Sequence, residues 1–334
     1  MLTTAEILDM SDKDVAAALF AEWQPGEKTL NLGPLGHLMP LKGGPERYGE
    51  ICRIMAANAP RGHVAIEADL LLGAVYGVRN GGGKWDEKTV FDLLERVREL
   101  ILPLPDATRL PLERRRLYHL GLVHREVWSD GHFLTAASIH EEAARIAPTE
   151  AKRQMELAIA EVERLHHAVE IYDLGLFPEQ MAALDRAEDA LRPFADEDPE
   201  VKKWLEADIP CHRMYCAWLM GLNYPKLDAD YAALDRVNDP NHPLHKSYKV
   251  WYTIFLAVKG PMTGRTDTMQ IADRVVKAGG HATHVTLALL VMSRALRDQN
   301  CSGTADELLQ RIVDYPSHGA HFVRAAARRE LAGS

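Results

Sequence analysis

The chain has 334 residues, of which 47% are hydrophobic and 26% charged, with a formal net charge of −9 at pH 7. This is the mix of a folded globular chain long enough for two domains, and it excludes wholesale disorder. The acidic balance leaves no electrostatic footprint for nucleic acid, and the longest apolar runs, such as Val285 to Met292, fall far short of the roughly 20 residues a membrane-spanning helix needs.

In chain order, the opening residues show no basic stretch followed by an apolar core and a small-residue cleavage site, so a cytoplasmic location is expected. Residues 1–59 read as a helical cap: a helix over about 12–23 opened by Ser11-x-x-Asp14, a loop at 24–43, and a helix over about 44–58. The loop carries Leu30, Leu32, Leu35, Leu38, Met39 and Leu41, too many apolar side chains to leave in water. It is expected to pack as part of the cap, and the alternative is a lid.

Residues 60–331 read as helical hairpins, because apolar positions recur at helical rather than alternating spacing. First helices are expected at about 62–79, 110–129, 150–174, 199–220, 243–259 and 282–299. Their partners follow at about 86–101, 133–146, 177–192, 225–237, 265–278 and 304–314, the last opened by Thr304-x-x-Glu307, with a closing helix at about 318–331.

The phase rests on internal repeats. A glycine followed two residues later by an aromatic recurs at Gly83, Gly131 and Gly175, and loosely at Gly221, at intervals of 48, 44 and 46 residues. Each glycine is expected in the turn of a hairpin, where a positive φ reverses the chain. An Arg recurs in the second helices at 96, 145, 186, 236, 274 and 311, four times after Asp or Glu. A His-x-x-His pattern recurs at 242–245, 281–284 and 318–321, each at a helix start.

At 131–148, GHFLTAASIHEEAARIAP resembles the tetratricopeptide repeat. Gly131 with Phe133 stands at its turn, Ala136 and Ala143 at its small positions, and Pro148 at its close; His140 stands where that family has an aromatic residue. GLFPEQMAALDRA is similar through Gly175, Phe177, Leu184 and Ala187, with Gln180 departing from the small residue. The resemblance covers about residues 60 to 331, and its period of roughly 37 to 50 approaches that of HEAT-type repeats. It implies an all-α fold, a right-handed superhelix of about six antiparallel helix hairpins with an N-terminal helical cap.

Chemistry is harder to find. The four cysteines form no CxxC pair, which argues against a disulfide framework or thiolate zinc site, and no cofactor is implied. No GxSxG elbow, Cys-His signature or phosphate loop occurs; Gly81-Gly82-Gly83-Lys84 follows a helix and lacks the Ser or Thr. Arg114, Arg115 and Arg116 form one cationic patch, expected to face solvent or an acidic partner. Glu163, His166, His167 and Glu170 fall on one helix face with the Glu-x-x-His spacing of carboxylate-bridged metal sites, but no second copy supplies the facing ligands. The other account of them is a polar face paired at i,i+4. The His-x-x-His copies could gather imidazoles along one edge for a metal or a pH response, or pack locally.

Three residues before successive repeat glycines stand Trp128, Tyr172 and Trp218. The resemblance implies that first helices line a concave groove, with Tyr118, Arg125 and Tyr215 on the same faces. Rings with a guanidinium suit a peptide or protein segment, and the alternative is packing between repeats. The expected function is therefore a peptide-binding or protein-binding scaffold without catalysis of its own. The alternatives are a ligand-responsive regulator with residues 24–43 as lid, and a helical metal-dependent enzyme. The recurring Arg, on the convex layer, is expected to tie neighbouring repeats.

Overall fold

The computed structural model describes residues 2–23, 32–38, 43–60, 62–80, 87–126, 132–242, 245–264, 266–279, 282–315 and 320–333. It is all-α, with no strand among the described residues, and sequentially adjacent helices pack together. Of the marker glycines, Gly83 and Gly131 lie outside the described residues. The chain divides into two compact units, residues 1–123 with 145–148, and residues 124–144 with 149–334. Residues 59 and 60, the expected boundary of the cap, both lie within unit 1.

Unit 1 contains α1 (Thr4–Asp9), α2 (Asp12–Glu22), α3 (Gly44–Ala57), α4 (Val64–Asn80), α5 (Glu87–Ile101) and most of α6 (Asp106–Glu126). Ser11 caps α2 as its sequence pattern requires, its side chain accepting from Asp14 N. Arg47 of α3 fastens the first two helices: Nε donates to Asp12 at 2.7 Å, and Nη2 to the carbonyls of Ile7 at 2.8 Å and Met10 at 2.7 Å. These last carbonyls of α1 have no intrahelical donors, so the guanidinium satisfies them. The described part of the apolar loop forms a 3₁₀ turn, Gly33–Leu38, with Leu35 and Leu38 buried. The backbones of α3 and α4 meet at Gly49 and Gly77, where a Cβ on Gly77 would lie 2.4 Å from the Gly49 Cα. The cationic patch is spent on ion pairs, Arg115 with Asp69 and Arg116 with Glu113.

Unit 2 contains α7 (His132–Arg145, to Ala144), α8 (Glu150–Ile171), α9 (Leu176–Leu191), α10 (Pro199–Lys203), α11 (Ile209–Met220) and α12 (Leu227–Val237). It continues with α13 (His245–Thr263), α14 (Thr268–Ala278), α15 (Ala282–Asp298), α16 (Ser302–Val313) and α17 (His321–Ala332). The pairs α8/α9, α11/α12, α13/α14 and α15/α16 are the hairpins. The first helices also pack in succession, α8 on α11, α11 on α13 and α13 on α15, and α17 then packs on both α15 and α8. α17 also packs on α16, so within unit 2 it bridges helices from both ends of this series.

Three local expectations are corrected. Gly175 has helical φ and ψ of −82° and −46°; the left-handed residue of that turn is Tyr172, at φ 55°. Asp173 explains the exchange, since its Oδ1 accepts from the amides of Gly175 and Leu176 at 2.9 Å and caps α9. Gly221, at φ 66°, is left-handed as expected and ends α11. α16 begins at Ser302, ahead of the Thr304 start expected from sequence. Helix 199–220 is interrupted by a π turn over Trp204–Asp208. It falls where Pro210 lacks the N–H for an i−4 bond and its ring would crowd the Glu206 carbonyl.

Candidate functional site

The interior of unit 2 carries an unusual concentration of polar side chains. α8 starts at the Thr149 cap and buries Met155, Ile159, Val162, His166 and Val169 at helical spacing, which forces Glu163 inward with them. A carboxylate with 0% exposure must be compensated. Arg125 Nη1 donates to its Oε1 at 3.3 Å, and His166 Nδ1 lies 3.3 Å from its Oε2. Burial pushes Glu163 up, but Arg125, His166 and His140 outweigh it and hold the carboxyl below its usual range.

The far side of His166 meets α11, with Nε2 2.9 Å from the Tyr215 hydroxyl and 3.1 Å from His212 Nδ1, while His212 Nδ1 also bonds the Tyr215 hydroxyl. With Glu163 ionised, one ordering runs through all four groups: His212 Nδ1–H donates to Tyr215, Tyr215 O–H to His166 Nε2, and His166 Nδ1–H to Glu163. Both imidazoles are then neutral. Burial lowers His166, with Glu163 opposing and Arg125 reinforcing it, and lowers His212 further, helped by His166 and Arg125. Burial raises the Tyr215 hydroxyl well above its ordinary value. Among these four groups the network is self-consistent and closed by hydrogen bonds.

Aromatic rings enclose it. Phe322 of α17 stacks on His166 at 4.8 Å and 10° and on Tyr215 at 5.6 Å and 5°. Phe133 meets the His166 ring at 5.4 Å, and Trp204, from the π turn, stacks against His212 at 6.1 Å and 11°. One helix away, His140 Nδ1 lies 2.9 Å from Glu156, both fully buried.

The ends of α8 and α11 carry the expected groove rings, and both face guanidinium groups. Arg329 of α17 lies over Tyr172 at 4.4 Å, and Arg294 of α15 over Trp218 at 4.2 Å. Arg329 also donates to the Glu170 carbonyl at 3.1 Å, and Arg294 to the Trp218 carbonyl at 3.1 Å. Tyr172 is 42% exposed, and Tyr215 and Trp218 are buried.

Of the expected peptide-binding residues, Arg125, Tyr172, Tyr215 and Trp218 belong to unit 2, Tyr118 belongs to unit 1, and Trp128 lies outside the described residues. Of the metal set, Glu163 and His166 come together, whereas His167 is half-buried and its Nδ1 has no hydrogen-bond partner among the described residues. Among the described residues no group of three or more His, Cys, Asp or Glu is placed to hold a metal ion. His242 lies 3.5 Å from Glu206, and His284 and His321 are buried in α15 and α17; His281 and His318 lie outside the described residues, as does the His245 side chain.

The recurring Arg does not tie the repeats of unit 2. Arg186 and Arg236 are exposed and form no ion pair among the described residues. The tie is Arg213 of α11, 1% exposed, bridging Asp185, Glu188 and Asp230. Among the described residues only one marker Arg, in unit 1, pairs with a carboxylate of a neighbouring helix, Arg96 with Glu67 at 3.3 Å. Sequence spacing also missed Phe322, which meets His166 from a helix far along the chain.

Among the described residues no helix is long and apolar enough to cross a membrane. No family model, no curated protein and no solved structure matches this chain.

Proposed function

We propose that the chain is an interaction scaffold, and that unit 2 holds a helical segment of a protein partner against the face formed by Tyr172, Tyr215 and Trp218. On this proposal its hairpins follow a right-handed, tetratricopeptide-like course, with the first helices lining the face. One observation carries it: the face already grips a helix, α17, through a ring stacked on Tyr215 and a cation over Tyr172. Phe322 and Arg329 are seven residues apart, two helical turns, so they lie on one side of α17. A partner helix of matching chemistry carries an aromatic residue and an arginine at that spacing. Aromatic and arginine anchors are the side chains that dominate such interfaces.

The test is crosslinking of the intact chain in lysate, with mass spectrometry to map the joined segments and Tyr172→Asn as control. The proposal expects segments joined to the ends of α8 and α11, helical, with an aromatic residue and an arginine seven apart, and lost in the variant. Joined segments of unrelated pattern, or the same set with and without the ring, would overturn it.

A further inference from the structure

α17 closes the face on which the proposed function depends. Its contacts are those of a ligand held by rings: Phe322 stacks parallel to both His166 and Tyr215, and Arg329 covers Tyr172. Arg329 Nη1 is satisfied by the Glu170 carbonyl, but its Nη2 is buried with no hydrogen-bond partner among the described residues. Leaving a buried donor unmade is costly, so this anchor is held below its full strength. Arg324, 1% exposed, is held through the Tyr315 carbonyl at 2.9 Å. Burial depresses Arg324 to about 10 and also lowers Arg329. The residue that admits the chain to α17, Ala320, sits in the left-handed region at φ 63° and ψ 28°. An L-residue other than Gly or Asn resists that region. Strain at the entrance and the unmade Arg329 donor oppose the docking of α17, which the Glu330 ion pair with Arg294 at 2.8 Å supports.

We propose that α17 is an internal stand-in for the partner helix, which occupies the ring-bearing face in the free chain and is displaced when a partner helix of the same chemistry arrives. This rests on the helix-holding function proposed above. The face has one set of rings, so the two helices compete, and tethering gives α17 a high effective concentration that an outside helix must overcome. The wild-type chain is accordingly self-occluded, and weakening α17 opens it.

The probe is a labelled peptide with the sequence of residues 320–333, read by fluorescence anisotropy against the full-length chain. The Phe322→Ala/Arg329→Ala variant is expected to bind it at least about 10-fold more tightly than wild type, since its own helix has lost its stacked ring and its cation over Tyr172. Adding Tyr172→Asn to that variant weakens the binding again. Equal binding to wild type and variant overturns self-occlusion while leaving the helix-holding function standing; binding to neither overturns both. Circular dichroism and a thermal melt establish that the variant is folded. Should it not fold, a protease site placed within residues 316–319 of the otherwise wild-type chain gives a second measurement. After cleavage α17 should exchange with the labelled peptide, and a cleaved helix that never exchanges overturns the proposal.

Discussion

Replacing Arg213 tests what holds the hairpins of unit 2 together. Its Nε donates to Asp230 at 2.8 Å and its Nη2 to Glu188 at 2.8 Å and Asp230 at 3.2 Å, with Nη1 on Asp185. Arg213→Ala leaves these carboxylates unequally placed. Glu188 keeps Lys226 at 2.9 Å and Arg192 at 2.6 Å, and Asp185 keeps Lys226 at 3.1 Å. Asp230, 4% exposed, keeps only the Tyr224 hydroxyl at 2.8 Å among these partners. Burial already pushes Asp230 up, with Arg213 and Tyr224 pulling it only part of the way back. Breaking a buried pair from one side costs about 3–5 kcal/mol, and each kcal/mol moves the melting temperature of a unit this size by roughly 2–4 °C. The expected fall is therefore on the order of 6–20 °C for the transition of unit 2, read by calorimetry at pH 7. Arg213→Met with Asp230→Leu should recover a substantial part, because matched apolar side chains remove the uncompensated charge. Arg186→Ala and Arg236→Ala, at exposed positions, should stay within about 0.5 kcal/mol of wild type. A cost under about 1 kcal/mol for Arg213→Ala, or a large one for Arg186→Ala, would refute this assignment of the tie.

Acid should destabilise unit 2 through His166 and His212. Their folded pKa values lie below the ordinary 6.5, so below about pH 6.5 the unfolded chain binds protons that the folded chain does not. Stability then falls with pH by up to about 1.4 kcal/mol per unit and per histidine until the folded value is reached. Urea unfolding at pH 8, 6 and 5 measures this, His212→Phe should flatten the profile, and an unchanged slope would contradict the network. Gly77→Ala should cost about 1–3 kcal/mol or more in unit 1, because the added Cβ meets the α3 backbone at Gly49 and the Pro45 carbonyl; a neutral melt would contradict that close approach. Tyr172→Asn removes a ring but suits the left-handed backbone better, so the melting temperature should change by only a few degrees while the α17 amides exchange faster; unchanged exchange would deny Arg329 its anchor.

Helix positions were largely legible because most helices bury an apolar stripe and several boundaries carry a cap, a glycine or a proline. α3, expected at about 44–58, spans Gly44–Ala57, and α9, expected at about 177–192, spans Leu176–Leu191. The exceptions have local causes. Asp173 took over the cap at Gly175, and a repeated Arg proved to be a repeated exposed position, whereas Arg213 is unique and buried. Glu163 and His166 were legible as one helix face, but not their partners. Tyr215 lies 49 residues beyond His166, and Phe322 reaches it only because α17 returns to α8. No local spacing encodes a contact between helices this far apart along the chain.

Hydrogen exchange of the wild-type chain, with and without excess unlabelled peptide of residues 320–333, tests most directly whether the ring-bearing face takes a helix in competition with α17. Displacement predicts faster exchange of the amides at 321–332 of the intact chain, with those at the ends of α8 and α11 still protected. Unchanged exchange at 321–332 under saturating peptide, or new protection confined to unit 1, would contradict it.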